Sequence, residues 1–162
     1  MVGFTALMGL LPQVTVGRVA LRADVTLPMQ FDEATELVGV VVRGPDCAGA
    51  CEAAEQSLAE LVGMVPGVEG VVVSVGPGAR PAPQLRLVVA AGPTRTAWAD
   101  ALGENTMEEG TPIVDAGHVY LLRRADSAWD LRAVLRGPTQ PADLVATASR
   151  LVGAPRAHIA AR

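Results

Sequence analysis

Residues 37–51 read LVGVVVRGPDCAGAC, and the fold turns on this stretch. Leu37 to Val42 is an unbroken apolar run, closed by Arg43-Gly44-Pro45. A continuous run, unlike an alternating one, suits a central strand buried on both faces. Asp46 stands where a helix cap is wanted, and the spacing predicts a helix from Cys47 to Val62. Ala50, Ala54, Leu58, Leu61 and Val62 share helical spacing, Glu52, Glu55 and Glu60 lie on other faces, and Pro66-Gly67 ends the run. Val68 to Val75, with the core VVVSV, is the next strand. Strand, helix and strand in this order imply a parallel pair joined by a right-handed crossover.

Working outward, Gly76 to Pro83 is a loop rich in Gly and Pro, and Leu85 to Ala91 reads as a third strand, with a helix as the alternative. Thr94 or Thr96 can cap a short helix through Trp98, Ala101 and Leu102. Gly103 to Pro112 is a polar connector that includes Glu108 and Glu109. His118 to Arg123 and Leu131 to Leu135 form a hairpin about a turn at Ala125 to Ala128, adding an antiparallel edge. Pro141 to Val152 is a final helix with Leu144, Val145, Ala148 and Leu151 inward. Upstream, partial alternation over residues 14–31 predicts one or two short strands. Trp98, Tyr120 and Trp129 read as packing residues, Trp129 half exposed in its turn. The fold class is α/β, layered, with a central mixed sheet flanked by helices. Residues 1–36 form an N-terminal extension with short strands added to the domain, 37–152 the domain, and 153–162 a loose tail.

Composition excludes more than it selects. The chain has 162 residues, half of them apolar, enough for one domain with its own core. A net charge of −4 and 3% aromatics argue against a nucleic-acid partner. All 13 basic residues are Arg, which removes P-loop and Schiff-base lysine chemistry. Two His and two Cys cannot make a four-ligand zinc site unless carboxylates join. No apolar run is long enough for a membrane span. Met1 to Val16 lacks a basic leader region, so the expected compartment is the cytoplasm, or extracytoplasmic if an export signal or anchor precedes Met1. Phe4 to Leu11, FTALMGLL, suits docking on a protein partner, including peripheral association with a membrane complex.

The positive signal is the cysteine pair. Cys47 and Cys51 stand at i and i+4 at the start of the helix, where the dipole and free N–H groups favour a thiolate. In a regular helix their Cβ atoms are about 5–6 Å apart, whereas a disulfide wants about 3.5–4.5 Å. Closing a disulfide therefore distorts the first turn, while two thiolates at this distance can share a soft cation such as Cu(I) or Zn(II). His118 opens a strand at the same end of the sheet and is a candidate third ligand. The plain alternative is that both cysteines only pack, as small apolar side chains, and that His118 is a strand-end histidine.

Strand, short loop, cysteine motif and helix together resemble the thioredoxin superfamily. Within it, two cysteines separated by three residues resemble the Sco/SenC family. Val40 to Cys51 is similar to its strand and cysteine loop, Val71 to Pro83 to its V-S-V-D-P strand and loop, Val114 to Gly137 to its histidine segment and hairpin, and Pro141 to Leu151 to its last helix. The resemblance implies a thioredoxin-like three-layer fold, copper held by Cys47, Cys51 and His118, and a metallochaperone role in assembling a respiratory oxidase. Thr111-Pro112 resembles the cis-proline that faces the cysteines in thioredoxins. The sequence departs from the Sco/SenC pattern at several positions, and its stretch between the second strand and the histidine is short, with the family's helix there reduced to the loop 76–84. Ala48 and Glu52 follow the cysteines where the family has Pro, Gly76 replaces an acidic residue, and His118 does not directly follow Asp115. Three functions remain open: copper binding or electron transfer through the pair, a non-catalytic subunit or scaffold in a larger assembly, and a thiol–disulfide oxidoreductase. Only the last is an enzyme.

Overall fold

The structure is a computed structural model and describes residues 20–44, 47–74, 76, 78–103 and 116–160. Its elements are β1 (Arg22–Val25), β2 (Leu37–Val42), α1 (Ala48–Met64), β3 (Val68–Ser74), β4 (Leu85–Val89), α2 (Pro93–Leu102), β5 (Val119–Ala125), β6 (Ala128–Leu135) and α3 (Pro141–Ala160). The six strands form one sheet in the order β1-β6-β5-β2-β3-β4. β2 and β3 are parallel, as are β3 and β4; β2 with β5, β5 with β6 and β6 with β1 are antiparallel. The run β6-β5-β2-β3, with α1 crossing between β2 and β3 and α3 following β6, is thioredoxin-like. β4 and α2 extend it on one side and β1 on the other.

The apolar runs are explained by two cores, one on each face of the sheet. Val38, Val40, Val71, Val73, Tyr120 and Leu122 pack with Trp98, Ala101 and Leu102 of α2. Their sequence neighbours Leu37, Val41, Val72, Val119 and Leu121 pack with Leu58 and Leu61 of α1 and with Leu144 and Ala148 of α3. Successive strand residues point to opposite faces, so a strand covered on both sides must be apolar throughout.

Gly39 and Gly70 are register partners on β2 and β3. A Cβ on Gly39 would lie 2.4 Å from Leu58 Cδ1, and one on Gly70 would lie 3.1 Å from Leu58 Cγ. The paired glycines make a hollow in the sheet that receives Leu58, and this brings α1 close to the strands. Along β6, Ala133 faces Leu121 and Leu131 faces Leu122, with Arg132 as the extra residue of a β-bulge. The bulge turns the alternation over, so that Trp129 and Leu131 join one core while Ala133 and Leu135 pack against the other.

Several sequence expectations need correction. The hairpin is not an edge, because β1 covers β6. Its turn is Asp126-Ser127, with Asp126 at φ 57°, a left-handed position that Asp tolerates, so β6 starts earlier than expected. Trp129 is buried, at 6% exposure, edge-on to Phe31 with ring centres 5.5 Å apart and beneath the Arg124 guanidinium at 4.5 Å. α2 is capped by Gly92 rather than by a threonine, and it opens on Pro93, whose fixed φ suits the first turn and whose missing N–H is not needed there. β4 stops at Val89. α3 continues past Val152 to Ala160, through Gly153 and Pro155, in a segment where Ala154, Ala157 and Ala160 supply the best helix former. Of residues 14–31, the described part holds the single strand β1. Asp46, Glu108, Glu109, the Thr111-Pro112 bond, Asp115 and Phe4 to Leu11 lie outside the described residues. The cis peptide bond among the described residues is Gly137–Pro138.

Candidate redox site

β2 delivers the chain to one end of the sheet, and α1 starts there with Cys47 as its N-cap. Cys47 and Cys51 are joined as a disulfide, with Cα atoms 5.3 Å apart. The spacing argument placed both cysteines inside a regular helix. Cys47 instead sits just outside it, at φ −116° and ψ 23°, and that freedom lets its sulfur reach Cys51 without unwinding the first turn. The Cys51 N–H still donates to the Cys47 carbonyl at 2.6 Å.

The two sulfurs have different surroundings. Cys47 is half-buried, and its Sγ accepts the Gly44 N–H at 3.2 Å. No acidic residue occupies the first turn of α1. Cys51 is 5% exposed, and its Sγ lies 3.6 Å from the Val42 carbonyl, which also accepts the Gly117 N–H at 3.1 Å. Gly117 has φ 85°, and a Cβ there would lie 3.3 Å from Ala50 Cβ. The approach to β5 therefore needs glycine twice, for its backbone and for its closeness to α1.

The site is flanked by two clefts. One, of about 370 Å³, is lined by Arg43, Cys51, Glu52, Glu55, Arg80 and Pro81 among others. Arg43 spans its wall. Nε donates to Glu55 Oε2 at 2.8 Å, Nη2 to Glu55 Oε1 at 2.9 Å, and Nη1 to the Ala79 carbonyl at 2.7 Å. The hydrogen bond from Arg43 to the Glu55 carboxylate, helped by its charge, raises the arginine pKa further and keeps it cationic. The second, more open cleft, of about 490 Å³, runs past Gly49, Ala50, Ala53, Gly117, His118 and Pro138.

His118 thus lies on the other side of the α1 start, half-buried, with its ring centre 6.4 Å from that of Tyr120. Among the described residues, no group of three or more His, Cys, Asp and Glu side chains comes together to hold a metal ion. While bonded to each other the sulfurs offer no thiolate; reduced, they are two soft donors on one helical turn. The Arg43–Glu55 pair and Arg80 escaped the sequence reading. Their partners are far apart in the chain, and the sole hint was an arginine between the buried strand and the first cysteine.

No family model matches the chain, and no curated protein matches it. Among solved structures it is similar to a SCO1/SenC family lipoprotein from Bacillus anthracis, at 14% identity and a TM-score of 0.49, over 80% of this chain and 96% of that one. Among the described residues, no helix is long and apolar enough to cross a membrane.

Proposed function

We propose that this thioredoxin-like protein transfers electrons through Cys47 and Cys51 by thiol–disulfide exchange with another molecule. The observation that carries the reading is the disulfide between a half-buried N-cap sulfur and a buried one in the next turn of the same helix. In the oxidising direction, the Cys47 thiolate attacks one sulfur of a substrate disulfide, forming a mixed disulfide and releasing one substrate thiolate. The Cys51 thiolate then attacks the Cys47 sulfur. The Cys47–Cys51 bond forms, the mixed disulfide breaks, and the second substrate thiolate leaves. The substrate takes up two electrons, and the two protons of the protein thiols go to its thiolates. The Gly44 N–H and the start of α1 favour the thiolate at Cys47. Redox titration in thiol buffers tests this. The pair should show one two-electron transition at a midpoint above about −300 mV, the range of exchangeable rather than structural disulfides. A midpoint well below that, or no exchange with any dithiol, rejects the reading.

A second reading is favoured by the 5.3 Å Cα separation, which keeps both sulfurs on one turn. Reduced, Cys47 and Cys51 would hold a soft ion such as Cu(I), with His118 as candidate third ligand. Titration of the reduced protein should then give one bound Cu(I), lost in both Cys47→Ser and Cys51→Ser.

A further inference from the structure

The cleft beside Cys51 has charged walls whose charges are not equally committed. Arg43 and Glu55 are paired through two hydrogen bonds, and Arg43 Nη1 donates to the Ala79 carbonyl. Arg80, on the loop before β4, and Glu52, on α1, line the same cleft and are exposed, and among the described residues neither has an ion-pair partner. The volume, about 370 Å³, suits a small molecule rather than a folded segment. The cleft reaches the redox pair through Cys51. One wall is thus ready for an anionic group and the other for a cationic one, and the cleft is also lined by Cys51 and by Gly44 and Ala48, which stand before and after Cys47 in the chain. The second cleft is lined by small residues and His118 and offers no such pair of opposite charges.

We infer that this cleft binds the redox substrate, and that the substrate is a small thiol or disulfide carrying both a carboxylate and an ammonium group, the carboxylate on Arg80 and the ammonium on Glu52. The inference rests on the thiol–disulfide reading. Arg43 is the positioning residue that fixes the wall, because it ties α1 to the loop that bears Arg80.

The test is the rate at which reduced full-length protein exchanges with three small disulfides: neutral 2-hydroxyethyl disulfide, the diammonium cystamine and the dicarboxylate 3,3′-dithiodipropionate. Arg80→Gln should slow the dicarboxylate about three- to fivefold and Glu52→Gln should slow cystamine by a similar factor, the size expected for exposed charge pairs. Both effects should shrink in high salt. With each variant the neutral disulfide should be slowed less than the matching charged one, and an unchanged far-ultraviolet circular dichroism spectrum shows that both variants fold. Exchange with the neutral disulfide but no charge-selective loss in either variant overturns the inference and leaves the redox reading standing. A peptide or protein disulfide that outpaces all three, indifferent to both substitutions, overturns it in favour of a macromolecular substrate. No exchange with any disulfide rejects the redox reading itself.

Discussion

Arg43 grips both carboxylate oxygens of Glu55, at 2.8 and 2.9 Å, with side-chain exposures of only 19% and 13%. Partial burial makes this pair different from the Arg86–Glu69 bridge, where the arginine is 48% exposed. The planar fork of arginine matches the carboxylate, and a lysine cannot reproduce it.

Arg43→Ala should lower stability by about 1–3 kcal/mol, because it strips a half-buried carboxylate of its donors. Arg43→Lys should recover part of this. Denaturant melts of the three proteins, at unchanged m-value, measure it. A loss below half a unit would mean that Glu55 finds water as readily as it found Arg43.

Leu58 is fully buried over the glycine hollow. Leu58→Ala should cost about 2–5 kcal/mol, and Gly39→Ala about 1–3 kcal/mol through overpacking. The double variant should cost less than the two together, since the missing leucine makes room for the new methyl. Strict additivity in chemical denaturation would show that Leu58 does not sit in the hollow.

After reduction, Cys47 should alkylate faster than Cys51, and should keep reacting below the unperturbed thiol value of about 8.5. Mass spectrometry of peptides labelled at a series of pH values reads both sites at once. Equal rates, or reaction only above that value, would leave the helix start and the Gly44 N–H without chemical effect.

The disulfide joins residues separated by 4 positions, so its grip on the unfolded chain is small. Breaking it should cost no more than about 2 kcal/mol by loop entropy, and the protein should stay folded because both cores are built without it. Far-ultraviolet circular dichroism before and after reduction checks this. Collapse on reduction would make the bond a structural staple.

The central strands are legible in the sequence because burial on both faces demands continuous apolar residues, and Leu37 to Val42 and Val68 to Ser74 have little else. α1 is legible from its spacing. The position of Cys47 is not, because one residue of capping decides whether a sulfur lies inside a helix or just before it, and Asp46 had the better capping side chain. The edge formed by β1 is hidden for another reason: four residues reading RADV carry no burial pattern until β6 is beside them. The cleft depends on Arg43 meeting a helix residue and a loop carbonyl, and no local period encodes such a meeting.

The bulge at Arg132 makes the length of the last hairpin inseparable from its sidedness. Were Arg132 held in regular pairing instead of bulging out, one continuous alternation would send Trp129 and Leu135 to the same side of the sheet, and one of the two cores would lose its share of β6. Deleting the Arg132 codon would therefore leave the faces where they are, because Leu131 and Ala133 would then alternate as ordinary neighbours opposite Leu122 and Leu121, whereas deleting Asp130 instead, with the bulge kept, would turn the start of the strand inside out.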